Sequence, residues 1–274
     1  MRLEHTLITA PGASPTKAVI FLHGILGSGP NLRSHARRLV QARPDLLGVL
    51  IDLRAHGDSL GVDGADTVAN AARDVVQTSA EWSVPMHAVV GHSFGGKVAL
   101  SVSQLQPQLG SVMTLDSAPG PRLDARGSET TMQVLTVLET LHRPWASREA
   151  FAAEIETHGM SRALGQWLAM NLELRTGGWV FRLDLGRIHA LLEDYFEVDL
   201  WPVVEAAARS RKGPRFHLVI GTKSNVYSHD DRVHAQSLES ESDGFVTVDL
   251  LEAGHWVHVD DPQGLSEVLI RRLG

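Results

Sequence analysis

Seven short runs rich in apolar and β-branched residues punctuate the chain: Leu3 to Thr9, Ala18 to His23, Gly48 to Leu53, His87 to Gly91, Val112 to Asp116, Phe216 to Gly221 and Val246 to Leu251. Between them lie longer stretches whose apolar residues recur every three or four positions. These run from Asn31 to Arg43, Thr67 to Trp82, Phe94 to Gln106, Arg232 to Ser240 and Pro262 to Leu273. The first kind reads as buried strand and the second as amphipathic helix. Their alternation predicts an α/β fold with a mostly parallel central sheet flanked by helices.

The rhythm breaks between Gly120 and Trp201. Strand signals are scarce there, and the apolar spacing is helical over Thr131 to Leu141, Phe151 to Ile155 and Leu164 to Leu174. Four of the six tryptophans, Trp145, Trp167, Trp179 and Trp201, fall in this stretch or at its edge. After Trp201 the pattern returns to strand, helix, strand, helix. The expected organisation is a core formed by residues 1–119 and 202–274, interrupted by a helical cap over 120–201. Such a cap would lie over the carboxyl edge of the sheet, where open α/β sheets bind ligands.

Composition narrows the chemistry. With 43% hydrophobic residues among 274, one buried core with an insertion is accommodated. A formal net charge of -7 argues against nucleic acid or an anionic membrane as the main partner. The absence of cysteine excludes disulfides, thiolate metal sites and cysteine nucleophiles. The stretch "MRLEHTLITAPGASP" lacks a basic segment followed by an apolar run, so no secretory signal is expected. No apolar segment approaches the roughly 18 residues that span a bilayer. These features predict a soluble cytoplasmic protein acting on a small molecule, and they leave the oligomeric state open.

One stretch carries reactive chemistry. In "VVGHSFGGKVAL", Gly91-His92-Ser93-Phe94-Gly95 is a G-x-S-x-G motif between an apolar strand and a helix. A tight turn at that junction holds serine in a strained conformation with its hydroxyl exposed at the helix N-terminus, and small flanking residues avoid clashes. A hydroxyl is a weak nucleophile and needs a base, which in turn needs an orienting acid. Where the motif is catalytic, the chain order is serine, acid, histidine. "LLEAGHWVHVDDP" supplies His255 as the base, with His258 as a weaker alternative.

An oxyanion hole would take one donor from the N–H of the residue after the nucleophile, Phe94. The other comes from "VIFLHGILGSGPN", where the Ile25 amide is preferred and Leu26 is next. The glycines at 24, 27 and 29 do not match a G-x-G-x-x-G phosphate loop. Leu26, Trp167 and Trp256 are the expected pocket residues. The acid has two possible sources. "HLVIGTKSNVYSHDDR" has uncharged Ser224 and Asn225 at the expected turn, with Asp230 and Asp231 displaced toward the next helix. "SVMTLDSAPG" instead ends a strand with Asp116, which is favoured because the acid should be buried and ionised.

The pieces "HGILGS", "DLRAHGDS", "GHSFGGK", "LDSAPG" and "GHWVH" together resemble the α/β-hydrolase superfamily, and within it the small YbfF-type esterases and their mitochondrial relatives. The resemblance covers Ala18 to Pro121 and Phe216 to Gly274, while the insertion matches only in position and helical character. It implies an α/β-hydrolase fold, hydrolysis of short- to medium-chain carboxylic esters without metal or cofactor, and Asp116 as the acid. Two departures stand out: Phe94 where methionine is common, and "SAP" in place of a more apolar variant. Both would reshape the pocket and leave the chemistry.

Other features have plainer readings. Fourteen histidines invite zinc, but neither H-E-x-x-H nor a histidine pair with a nearby carboxylate appears at ligand spacing. Asp52, Arg54 and His56 are expected to bond within their own loop, with Gly57 permitting a turn. Lys97 is expected at the surface or in helix packing, and His92 is expected to point away from the serine as a structural residue. The predicted reaction is attack by Ser93 on an ester carbonyl, with His255 as base and Asp116 orienting it. The same triad would serve a thioesterase, carbon–carbon bond hydrolase, lyase or cofactor-free haloperoxidase. A non-catalytic ligand receptor is the reading from a different class.

Overall fold

The computed structural model describes residues 2–141 and 144–273; residues 1, 142, 143 and 274, which fall within the three expected segments, lie outside the described residues. The strands among the described residues are β1 (His5–Ile8), β2 (Lys17–Leu22), β3 (Leu46–Ile51), β4 (Met86–His92), β5 (Ser111–Leu115), β6 (Leu172–Arg175), β7 (Gly178–Phe181), β8 (Arg215–Gly221) and β9 (Val246–Leu251). The helices of the first half are α1 (Arg33–Ala42), α2 (Val68–Thr78), α3 (Phe94–Leu105), α4 (Glu129–Leu138) and α5 (Arg148–Thr157). Those of the second half are α6 (Arg162–Leu168), α7 (Leu185–Glu197), α8 (Trp201–Ser210), α9 (His229–Glu241), α10 (Val257–Asp260) and α11 (Pro262–Leu273).

Seven strands form one sheet in the order β1-β3-β2-β4-β5-β8-β9. Its pairings are parallel except for β1 against β3. Strands β3 and β5 are buried at every position, as expected for sheet interior covered on both faces. One face packs on residues of α2 and α3, among them Ala71, Val75, Val98 and Val102. The other packs on α1 and α11 through Leu39, Val40, Leu265 and Leu269.

The stretch between β5 and β8 differs from the expected pattern in three places. The helical spacing read over Leu164 to Leu174 ends early, and its last residues form β6, which pairs antiparallel with β7. Arg175 opposes Gly178 in this hairpin, and Gly177 and Gly178 have φ of 101° and 136°. That geometry is open to glycine and closed to most residues, so the turn overrides the helical periodicity. Helix α7 was not among the expected helices, although its buried Ile188, Leu191, Leu192 and Tyr195 follow helical spacing. Helix α8 begins at Trp201, so a helix and not a strand comes first after the insertion.

Every residue expected in the reaction follows a strand at its carboxyl end. Ile25 follows β2, Ser93 follows β4, Asp116 follows β5 and His255 follows β9. Parallel pairing carries these ends to one edge of the sheet, the position at which open α/β sheets bind ligands.

Candidate active site

Ser93 sits between β4 and α3 with φ 51° and ψ -116°. A non-glycine residue in this region is strained and persists only when its surroundings over-determine it. The flanking glycines supply that constraint. A methyl group at Gly91 would overlap the Gly95 carbonyl, and one at Gly95 would lie 2.6 Å from the carbonyl oxygens of both Leu22 and His23. The Ser93 amide donates to the Leu115 carbonyl at 3.1 Å, locking the turn onto β5.

His255 lies on the loop after β9. Its Nε2 is 3.1 Å from Ser93 Oγ, and its Nδ1 donates to Asp116 Oδ2 at 2.8 Å. Asp116 is fully buried, with φ 46°. Its Oδ1 accepts from the Gly221 amide at 3.1 Å, and its Oδ2 accepts from Ser224 Oγ at 2.6 Å. Together with His255 Nδ1, these donors satisfy both oxygens of a carboxylate that has no access to solvent. Ser224 therefore has a part in the site, although it was set aside as a poor acid. Its position on the loop after β8 was the available signal.

The alternative acids are elsewhere. Asp231 bonds Ser228 through both the backbone amide, at 2.9 Å, and the hydroxyl, at 2.7 Å, as a capping box at the start of α9. Asp230 is exposed in the first turn of that helix. His258 is buried behind the site, its ring 4.5 Å from that of His92 and its carbonyl accepting from His35 Nε2 at 2.9 Å. Burial lowers its pKa to about 3.

Among the described residues, the amides of Phe94 and Ile25 have no hydrogen-bond acceptor within the protein. The Leu26 amide is taken: it donates to His56 Nε2 at 3.0 Å. Of the two oxyanion donors weighed on that loop, only Ile25 is left free. The Phe94 side chain is fully buried against Tyr195 and His56 and stands outside the pocket.

A cavity of about 250 Å³ opens over Ser93 and His255 and is walled by Ile25, Leu26, Trp167 and Trp256. Trp167 and Trp256 meet edge to face with centroids 4.9 Å apart. Of the other tryptophans in or beside the insertion, Trp145 packs on Phe151 and bridges to Trp179, while Trp201 packs on His234. Their role is packing.

Two expectations change. Lys97 is not at the surface: it is fully buried, and its Nζ donates to the carbonyls of Gly120, Tyr195 and Val198 at 2.7, 2.7 and 2.8 Å. Burial draws its pKa down to about 7. Three donors are in use, and a neutral amine has two, so the ammonium is the bonded form. His92 is buried and structural, yet it acts on the site. Its Nε2 donates to the His255 carbonyl at 2.9 Å, and its ring lines the cavity. The "DLRAHGDS" residues also reach beyond their loop, with Arg54 bonding Asp74 at 2.7 Å and Asp52 accepting from the Gly29 amide at 2.7 Å.

A serine on a strained strand-to-helix turn, in line with a histidine and a buried aspartate on a mostly parallel sheet, defines the α/β-hydrolase class. The alpha/beta hydrolase family model matches residues 19–268, and the chain belongs to that family. It is 29% identical over 261 residues to the sn-1-specific diacylglycerol lipase ABHD11 of Danio rerio, covering 92% of this chain and 76% of that protein. It is 24% identical over 278 residues to esterase YbfF of Escherichia coli (strain K12), covering 100% and 99% of the two chains. Among solved structures, a marine microorganism esterase superposes with a TM-score of 0.80 at 20% identity, covering 98% of each chain.

Proposed function

We propose that the protein is a serine carboxylesterase acting on short- to medium-chain esters through an acyl-enzyme on Ser93. The observation that carries this reading is the unbroken chain Ser93 Oγ, His255 Nε2, His255 Nδ1, Asp116 Oδ2, with contacts of 3.1 and 2.8 Å. Relatives named esterase and lipase support it. A cavity of about 250 Å³ lies below the usual range for drug-sized ligands, which favours a small acyl group.

As Ser93 Oγ attacks the ester carbonyl, its proton passes to His255 Nε2, and Asp116 stabilises the imidazolium. The carbonyl oxygen becomes an oxyanion held by the amides of Phe94 and Ile25, each worth about 3–4 kcal/mol in such sites. Collapse breaks the ester C–O bond, and His255 gives the proton to the departing alcohol. Water then enters, loses a proton to His255 and attacks the acyl carbon, and the second collapse returns Ser93 with release of the acid. Residues 120–201 act as the cap that walls the cavity through Trp167 and excludes water. No described helix is long and apolar enough to cross a membrane. A cytoplasmic location belongs to the same proposal.

The test is the initial rate on p-nitrophenyl esters from acetate to palmitate, with Ser93→Ala beside the parent. A maximum at short or medium chains that vanishes in Ser93→Ala is the expected result. Undiminished turnover in the variant would overturn the assignment.

A further inference from the structure

We propose that the oxyanion hole is held from two sides, with His56 from the core and Asn171 from the insertion acting as positioning residues that clamp Leu26 and so aim the Ile25 amide. This inference rests on the serine-esterase reading and extends it to the insertion.

The loop after β2 is a turn closed by the Gly27 amide on the Gly24 carbonyl at 3.0 Å. Its third position is Leu26, with φ 60°. A positive φ at that position is normally met by glycine, and a leucine persists there only where its neighbours over-determine it. Leu26 is imposed on through both its peptides. Its amide donates to His56 Nε2 at 3.0 Å, and its carbonyl accepts from Asn171 Nδ2 at 2.8 Å. The peptide that carries the Ile25 amide is anchored at its other end, since the Gly24 carbonyl also accepts from His23 Nδ1 at 2.7 Å. The Ile25 N–H is left pointing at no protein acceptor among the described residues, the condition an oxyanion donor requires.

Both clamping side chains are themselves fixed. His56 Nδ1 donates to the Arg54 carbonyl at 2.9 Å, which leaves Nε2 as the acceptor that the Leu26 amide needs. Burial keeps this ring neutral, consistent with that tautomer. Asn171 is buried on the turn after α6, and its carbonyl accepts from the Arg182 amide at 3.0 Å. Trp167, one turn earlier, lines the cavity. The piece of the insertion that touches substrate therefore also sets the donor that stabilises its transition state.

The decisive comparison is Asn171→Ala and Asn171→Asp against the parent and Ser93→Ala, assayed on p-nitrophenyl butyrate. A trifluoromethyl ketone of matching chain mimics the oxyanion, and butyramide serves as a ground-state competitor. Asn171→Ala is expected to lower kcat by about 10- to 100-fold with KM within about twofold. It should weaken the ketone in parallel and leave the amide unchanged. Asn171→Asp keeps the shape and cannot donate when ionised, so its kcat deficit should shrink as pH is lowered and the acid protonates. His56→Gln, which retains an acceptor, should lose less than His56→Ala. Unchanged kcat in Asn171→Ala, or a loss confined to KM, would overturn the clamp. So would equal weakening of ketone and amide. If Ser93→Ala is inactive in the same assay, that failure belongs to the clamp alone; if it is active, the serine reading falls first.

Discussion

Asp116 accepts a hydrogen bond from His255 Nδ1 at 2.8 Å across 139 residues of sequence, and it does so from a fully buried position in left-handed backbone. The φ of 46° turns the carboxylate toward the histidine loop, where the Gly221 amide and the Ser224 hydroxyl supply its remaining bonds. Strain, burial and saturation together mark a group held for its charge.

Asp116→Asn isolates that charge. Asparagine accepts left-handed backbone, so the variant should fold. Its amide would offer the imidazole a donor where an acceptor is needed and would favour the wrong tautomer. We expect kcat to fall by roughly 10³- to 10⁴-fold with a melting temperature within a few degrees of the parent. A loss smaller than about tenfold would make Asp116 a structural residue.

Gly95→Ala tests the turn under Ser93. The added methyl would lie 2.6 Å from two backbone oxygens, Leu22 and His23, at the end of β2. Backbone in the sheet interior cannot retreat, so a loss of more than about 4 kcal/mol is expected, visible as insolubility or a strongly lowered melting point. Gly61→Ala, where nothing lies within 4 Å of the new methyl, should change stability by less than about 0.5 kcal/mol. Equal melting of the two variants would refute the steric account.

Lys97→Met removes the ammonium that joins α3 to the start of the insertion at Gly120 and to its end at Tyr195 and Val198. Three buried carbonyls would lose their donor, at about 1–3 kcal/mol each. A melting temperature lower by 5 °C or more, roughly, is the expected reading in a thermal scan. An unchanged value would show that the carbonyls find other partners.

Acid should unfold this protein through its histidines. Burial lowers His23 and His217 from 6.5 to about 4, and His56 and His258 to about 3. Between those values and 6.5 the unfolded chain binds the protons that the folded chain refuses. Stability is therefore full above pH 6.5 and declines as pH falls through that window. Near pH 5, unfolding should take up about four protons from these residues, a slope of at most about 5 kcal/mol per pH unit. Urea midpoints measured from pH 7 to pH 4.5 check this; a flat profile would mean that these rings are hydrated or already charged in the folded state.

Local chemistry made much of this protein legible in its sequence. The apolar β-branched runs mark the sheet because burial on both faces demands them. The candidate nucleophile could be read because the constraint on Ser93 comes from residues two positions away, Gly91 and Gly95. His255 followed from chain order and a strand ending at Leu251. Other features depend on groups that meet only after folding, and no periodicity of three or four residues can report them. Asp116 was preferred over Asp230 and Asp231 by argument, and the tertiary structure puts its carboxylate beside His255 while Asp231 caps a helix. Lys97 read as a surface or helix-packing residue, and only the folded chain shows which, since three carbonyls from distant segments converge on its ammonium. The β6–β7 hairpin displaced a helical reading because two glycines in left-handed backbone turned the chain. Asn171 carried no signal at all, since its meaning lies in the carbonyl of Leu26, 145 residues away in sequence and 2.8 Å away in space.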